Sequence, residues 1–370
     1  RVSFSSVGMP YPRNLTSPTY EYNEATQSWK PKTHYPIGDL KPERTDSWEV
    51  GLDMKLFKDF NLGLSWYLAN TFNQTFDPQI SVSSGYTTIY LQTGYVRNTG
   101  LELSLGYGHT WNNNFRWDSN FTLSHNKNKI KELVRDYVHP ETGELINKDR
   151  LDVGGLGKAR FILKEGGTLG DLYTQSDLKR DDNGMVDIDP TGIVAIENNL
   201  PDIKLGSVFP KANLAWSNHF SWKGISLSAL FTARIGGIVY SATEAAMDQY
   251  GVSERSALAR DNGGVLVNNR TLVDAQNYYT TIGSESGLPQ YYTYNATNVR
   301  LQEASIGYLI PRKWLGNVCD IQVSVIGRNL WMIYNKAPFD PESVATTDNY
   351  YQGIDYFMMP STRTVSYTHL

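Results

Sequence analysis

Residues 40–73 read LKPERTDSWEVGLDMKLFKDFNLGLSWYLANTFN. Trp48, Val50, Leu52, Met54 and Leu56 alternate with Ser47, Glu49, Gly51, Asp53 and Lys55. After a turn over Phe57–Phe60, Leu62, Leu64, Trp66 and Leu68 alternate with Gly63, Ser65, Tyr67 and Ala69. Successive side chains of a strand point to opposite faces, so the segment predicts a β-hairpin with one oily and one wet face. Each strand runs about ten residues or more, the length that crosses a bilayer at a tilt.

The unit recurs. Leu101, Leu103, Leu105, Tyr107 and Trp111 share a face opposite Glu102, Ser104, Gly106, Gly108 and Thr110. Asn112, Asn113 and Asn114 predict the turn, because Asn tolerates left-handed backbone. Phe115, Trp117, Phe121 and Leu123 return on one face. Leu214, Trp216 and Phe220 lead to a turn at Trp222-Lys223-Gly224 and back through Ile225, Leu227, Ala229 and Phe231. In 297–310 the apolar phase slips from Val299 and Leu301 to Ala304, Ile306, Tyr308 and Ile310, which predicts a β-bulge near Gln302–Glu303. Ile321, Val323 and Val325 mark the next strand, and a last one starts near Ser361. Residues 2–8 read as the end of a strand.

That makes roughly ten strands, joined alternately by short turns and by long polar loops near 9–44, 74–94, 131–209, 237–296 and 332–359. Outer-membrane barrels show this asymmetry, whereas soluble domains rarely hold long structureless loops. The expected fold is all-β, an antiparallel transmembrane barrel without an internal domain boundary. Trp48, Trp66, Trp111, Trp117, Trp216, Trp222 and Trp331 lie on or at the ends of these strands, as interface aromatics of a membrane barrel do. Core Trp of a soluble sandwich is the competing reading.

Composition agrees. The 370 residues carry a formal net charge of −4, so no basic field points to nucleic acid. Aromatics reach 12%, with 24 Tyr and 9 Trp, and Gly numbers 31. A mean hydropathy of −0.42 is compatible with a barrel, half of whose strand residues face a polar interior. A single cysteine, Cys319, excludes an internal disulfide framework and a cysteine zinc site. No apolar run reaches the ~18 residues of a membrane helix. No leader is visible, and Arg1 begins in strand-like sequence, so a longer protein is expected.

No catalytic constellation emerges. Asp181-Asp182-Asn183-Gly184 has the look of a calcium loop, but the EF-hand spacing would put Lys179 in the first ligand position, so it reads as a turn. Gly154-Gly155-Leu156-Gly157 and Gly166-Gly167 are not phosphate-loop patterns. His34, His109, His125, His139, His219 and His369 show no paired metal spacing, and no Ser sits in a nucleophile-elbow pattern. No cofactor or metal is expected. The loops carry Tyr86, Tyr90, Tyr278, Tyr279, Tyr291, Tyr292, Tyr294, Tyr350, Tyr351 and Phe357, whose flat faces could stack on a sugar ring or serve loop packing.

Several stretches together resemble the SusC/RagA family of TonB-dependent outer-membrane transporters: LKPERTDSWEVGLD (40–53), YVRNTGLELSLGY (95–107), FTLSHNKNKI (121–130), EGGTLGDLYT (165–174), DDNG (181–184), ARIGGIVYSAT (233–243), NVRLQEASIGYLIP (298–311), GRNLW (327–331), FDPES (339–343) and PSTRT (360–364). They run in family order over nearly the whole chain. The resemblance implies a barrel of about 22 strands plugged by an N-terminal domain. It also implies energisation through TonB, a SusD-like surface lipoprotein as partner, and import of oligosaccharides or peptides without covalent chemistry. Residues 1–370 would then be the C-terminal part of the barrel, a partial and open one, with plug and TonB box lying outside it. After PSTRT the family continues as a strand ending in an aromatic, whereas here the chain ends VSYTHL (365–370). A passive porin and a secreted all-β glycan-binding or glycan-degrading domain are the alternatives.

Overall fold

The computed structural model describes residues 1–10, 20–31, 34–35, 41–78, 86, 88–111, 114–138, 145–346 and 351–369. Ten strands form its main sheet: β1 (Val2–Met9), β2 (Glu43–Leu56), β3 (Phe60–Phe76), β4 (Leu91–Thr110), β5 (Arg116–Glu132), β6 (Ala212–Trp222), β7 (Ile225–Ile235), β8 (Asn298–Ile310), β9 (Ile321–Asn335) and β10 (Thr364–His369). Their order in the sheet is their order in the chain, and every neighbouring pair is antiparallel. β1 and β10 stand at opposite edges, so the described sheet is open. The last strand starts at Thr364, about three residues after the start expected near Ser361.

Register carries the alternation from strand to strand. Leu52 pairs with Leu64, Leu64 with Leu103 and Leu103 with Leu123. Leu123 pairs with Leu214, and further along Phe220 pairs with Leu227 and Leu227 with Ile306. A slip of one residue in any pair would send every later apolar side chain to the wrong face. The phase change within β8 is absorbed where expected: Leu230 opposes Glu303 and Phe231 opposes Leu301, leaving Gln302 as a bulge. Short connections need left-handed backbone. Lys223 (φ 47°) and Gly224 (φ 87°) link Trp222 to Ile225 by a two-residue turn whose twist matches the strands. Asn114 is left-handed as anticipated, while Asn112 and Asn113 lie outside the described residues.

The long connections depart from expectation. The described residues of 131–209, and residues 237–296, are folded rather than structureless. Arg150–Leu156, Ala159–Lys164, Asp171–Thr174 and Ile203–Ser207 make a four-stranded sheet. Gly155 (φ 146°) enters its first turn where a Cβ would lie 2.1 Å from the Ala159 carbonyl oxygen. The second connection folds into α1 (Ala242–Gln249), α2 (Glu254–Asp261) and α3 (Ala275–Gly283). Ser241, Ser253 and Asp274 cap them, each side chain accepting a hydrogen bond from a first-turn amide. The buried core sits chiefly here, around Phe161, Leu163, Leu172, Tyr240, Ile282, Leu288 and Tyr292. A sheet whose oily face looks outward has no such core of its own, so the loops supply it.

Candidate functional site

The two faces of the sheet differ in kind. Outward-facing Trp48, Val50, Leu52, Leu64, Leu101, Leu105, Trp216, Leu227, Ile306 and Val325 are all exposed. A soluble sandwich would cover such a band, and nothing in the described chain does. At the short-turn end a row of rings crosses four strands: Phe60 to Tyr107 at 4.7 Å, Tyr107 to Trp117 at 5.1 Å and Trp117 to Phe220 at 5.9 Å. Trp111 and Trp222 stand at the same end, Trp48 lies nearer the long loops, and Trp66 and Trp216 lie between. Two polar residues interrupt the band, Ser119 and its cross-strand partner Asn218. Each is covered by an indole: Trp216 Nε1 donates to Ser119 Oγ (2.9 Å) and Trp117 Nε1 to Asn218 Oδ1 (3.2 Å).

The other face is concave and wet. One cavity of about 1060 Å³ touches seven strands through Asp53, Asn61, Ser104, Asn120, Ser217, Ser228 and Glu303. A second, of about 720 Å³, continues it past Ser65, Glu102, Thr122, Asn213, Arg234 and Glu342. The wall alternates charge, with Arg116 to Asp118 at 2.6 Å, Arg328 to Glu303 at 2.8 Å and Arg1 to Glu49 at 3.2 Å. Short hydroxyl and amide side chains fill the rest. Such a wall offers a solute exchangeable hydrogen bonds without a single deep charge well.

Over the long-loop end the connections interlock. Asn268 makes both backbone hydrogen bonds of Val186 (2.9 Å each), Gln290 Nε2 donates to Asp177 (2.6 Å), and Lys158 meets Glu285 (3.0 Å). The last loop adds a strand, Ile354–Asp355, parallel to Tyr240–Ser241, with Ser241 Oγ donating to Asp355 (2.6 Å). Arg300 on β8, almost wholly buried, fastens this body by a two-pronged bond to Asp340 (2.8 and 3.2 Å) and a contact to Glu342 (3.2 Å).

The short motifs now have partners. NVRLQ meets FDPES through Arg300 and Asp340, and PSTRT joins them through Ser361, whose hydroxyl donates to Asp340. FTLSHNKNKI holds EGGTLGDLYT through Asn128, which accepts from the Leu169 amide (2.9 Å), and through two backbone bonds of Ile130 to Gly166 and Gly167. Asp181 Oδ1 accepts from the amides of Asn183 and Met185, so DDNG is a turn closed on itself. Among the described residues no three His, Cys, Asp or Glu side chains gather as metal ligands.

The loop aromatics do not form one stacking surface. Tyr292 is fully buried and its hydroxyl donates to Asp248, and Tyr279 is buried beside it, so the expectation of stacking faces is corrected for both. Burial, then Asp248, raises the Tyr292 phenol. Tyr278 packs edge-on to Tyr279, and burial with Asp177 pushes Tyr291 up to about 12. Tyr86, Tyr90 and Tyr294 are half-buried, Tyr86 against Tyr35 and Tyr90 beside Lys41, Gln92 and Tyr137. Tyr351 and Phe357 are exposed, and Tyr350 lies outside the described residues. The residues missed from sequence are the clasps, Arg300 above all. An Arg amid alternating apolar residues was its signal.

An antiparallel membrane sheet, oily outside and polar within, roofed at one end by folded loops, is the barrel wall of an outer-membrane protein. The description "TonB dependent receptor-like, beta-barrel" matches residues 1–330, and the chain belongs to that family. It is 25% identical to TonB-dependent receptor P3 of Formosa agariphila over 364 residues, which are 90% of this chain and 34% of that protein. It is 28% identical to TonB-dependent receptor P39 of the same organism over 142 residues, 38% of this chain and 12% of that one. Among solved structures, a chain of the RagAB peptide transporter superposes with a TM-score of 0.69 at 18% identity, covering 100% of this chain and 40% of that chain. The closed-closed state of the RagAB peptide importer gives 0.68, also at 18% identity, with the same coverage. The fold is therefore of the RagA kind, and the chain spans about a third of the curated relative it matches over most of its length.

Proposed function

We propose that residues 1–370 form the C-terminal part of the barrel of a TonB-driven importer in the outer membrane of a Gram-negative bacterium. Its plug domain and TonB box lie on chain outside this sequence. A SusD-like surface lipoprotein is the proposed partner at the long-loop end, and lipid is the partner of the outward face, where Trp48, Trp66, Trp111, Trp117, Trp216 and Trp222 are the aromatics proposed to meet it. The cargo is a peptide or an oligosaccharide. The observation that carries this reading is the continuous polar wall of seven strands behind an uncovered apolar face. Peptides rank first, because the neighbours sharing the fold are named as peptide importers. Of the loop aromatics singled out from the sequence, Tyr351 and Phe357 are the exposed ones among the described residues and are the candidates to touch cargo.

The test is uptake by cells carrying the full-length protein, with labelled peptides in one arm and labelled oligosaccharides in the other. Saturable uptake that stops when the TonB box is disrupted is the expected result. Uptake linear in concentration and indifferent to TonB would instead make the protein a passive porin.

A further inference from the structure

Toward the long loops the outward face changes character. On β5 the side of the strand that carries Phe121 and Leu123 continues to Lys127 and Lys129, and on β4 the side that carries Leu101 and Leu103 leads to Arg97. Register sets Arg97 opposite Lys129 and Thr99 opposite Lys127, so the three cations are neighbours on adjacent strands. Lys131 follows at a break in the pairing, where Arg97 and Lys129 both repel its charge. Lys127 is exposed and the other three are half-buried. Lys127 lies about 13 Å along the strand from Leu123, past the end of the apolar band.

Arg97 is held in place by uncharged groups. Its Nε donates to Asn70 on β3 (2.8 Å), its Nη2 donates to the Tyr95 hydroxyl (2.6 Å), and Tyr95 stacks on Phe72 at 4.9 Å. Nearby acids leave the cluster unneutralised. Asp46 is paired with Arg44 (3.2 Å), and Glu132, opposite Tyr95, forms no ion pair with any of the four cations. Like charges directly opposite on neighbouring strands repel, so Arg97 and Lys129 gain from an anion between them. A fixed guanidinium fork among ammonium groups suits a phosphate. Long loops of such barrels are extracellular, which puts the cluster at the headgroups of the outer leaflet. We propose that Arg97, Lys127, Lys129 and Lys131 bind the phosphates of an outer-leaflet glycolipid, lipopolysaccharide, whose acyl chains run down past Leu101 and Leu123. This builds on the reading that the outward face meets lipid. The cluster adds selection, because a soluble anion needs the charges alone, whereas charges seated directly on the apolar band suit a phosphate that carries chains.

Native mass spectrometry of the full-length protein tests this, with bisphosphorylated lipid A, dephosphorylated lipid A and inorganic phosphate as probes. Lys127→Gln combined with Lys129→Gln, and separately Arg97→Gln, remove charge from different strands, so the comparison survives if one variant fails to assemble. Lys223→Gln removes a charge at the short-turn end. The wild type and Lys223→Gln should retain one bisphosphorylated lipid A that the cluster variants hold about tenfold more weakly. Dephosphorylated lipid A should be held no better by the wild type than by the cluster variants. Displacement of lipid A by an equal concentration of inorganic phosphate would make this a free-anion site and overturn the glycolipid. Equal retention of bisphosphorylated lipid A by every form overturns the proposal and leaves the lipid-facing assignment standing, whereas retention by none overturns both. A dimer lost in the cluster variants would overturn it in favour of a second copy of the chain.

Discussion

Leu103 and Ser104 are neighbours in sequence and face opposite worlds. Leu103 sits between Leu64 and Leu123 in the apolar band, and Ser104 lines the polar cavity. In the full-length protein folded into bilayers, Leu103→Arg should cost about 2–4 kcal/mol if its site is mid-bilayer, and Ser104→Arg should change little. Urea unfolding in vesicles measures both, and equal costs would reverse the facing. The alternation that places these two was open to view in the sequence. Asn218 was not. It falls on the outward face of β6, where the pattern asks for an apolar side chain, and only the register reveals the Trp117 indole that meets it across the strands. A hydrogen bond between strands 101 residues apart leaves no local trace.

At the scale of elements, strands and loops were unequally legible. A strand in lipid has period two along its whole length, so β2 to β5 could be drawn from sequence, although β3 and β4 run a few residues into the loop expected near 74–94. The loop body is built from short apolar clusters such as Phe161-Ile162-Leu163, whose partners lie on other loops. The capping sequence Ser241-Ala242-Thr243-Glu244 was the one local sign of α1. Two predictions belong here. Arg300 and Asp340 join β8 to the last loop out of water, so Arg300→Leu strands a buried carboxylate and should cost about 3 kcal/mol, read as faster hydrogen exchange over residues 336–346. Burial pushes the Asp340 carboxyl up, but bonds from Arg300, Ser361 and the Glu342 amide hold it below the ordinary range. The clasp is therefore intact above that range and lost as pH falls through the lowered value, a dependence that Arg300→Leu should blunt. Glu244 runs the other way. Burial raises its carboxyl, Arg255 opposes, and Asp248 and Asp355 add to the rise. The folded loop thus holds that proton more tightly than the unfolded chain, and stability from this group falls as pH rises. Glu244→Gln should melt higher than the parent at about pH 8 and coincide with it near pH 4.

For the whole molecule the argument rests on two surfaces and a roof. Among the described residues β1 and β10 are unpaired edges, so the sheet is open, and unpaired strand edges cannot stand in hydrocarbon. In the membrane these edges must meet further strands, as the larger RagAB chains that share the fold suggest. The direct test of this picture is a scan of spin labels placed singly at residues 100–107 of the full-length protein in bilayers. Collision rates with oxygen, which concentrates in lipid, and with a water-soluble nickel chelate are compared at each position. The account predicts strict alternation: oxygen dominant at Leu101, Leu103 and Leu105, nickel dominant at Glu102, Ser104 and Gly106. Uniform exposure to nickel at all positions, or alternation in the opposite phase, would contradict it.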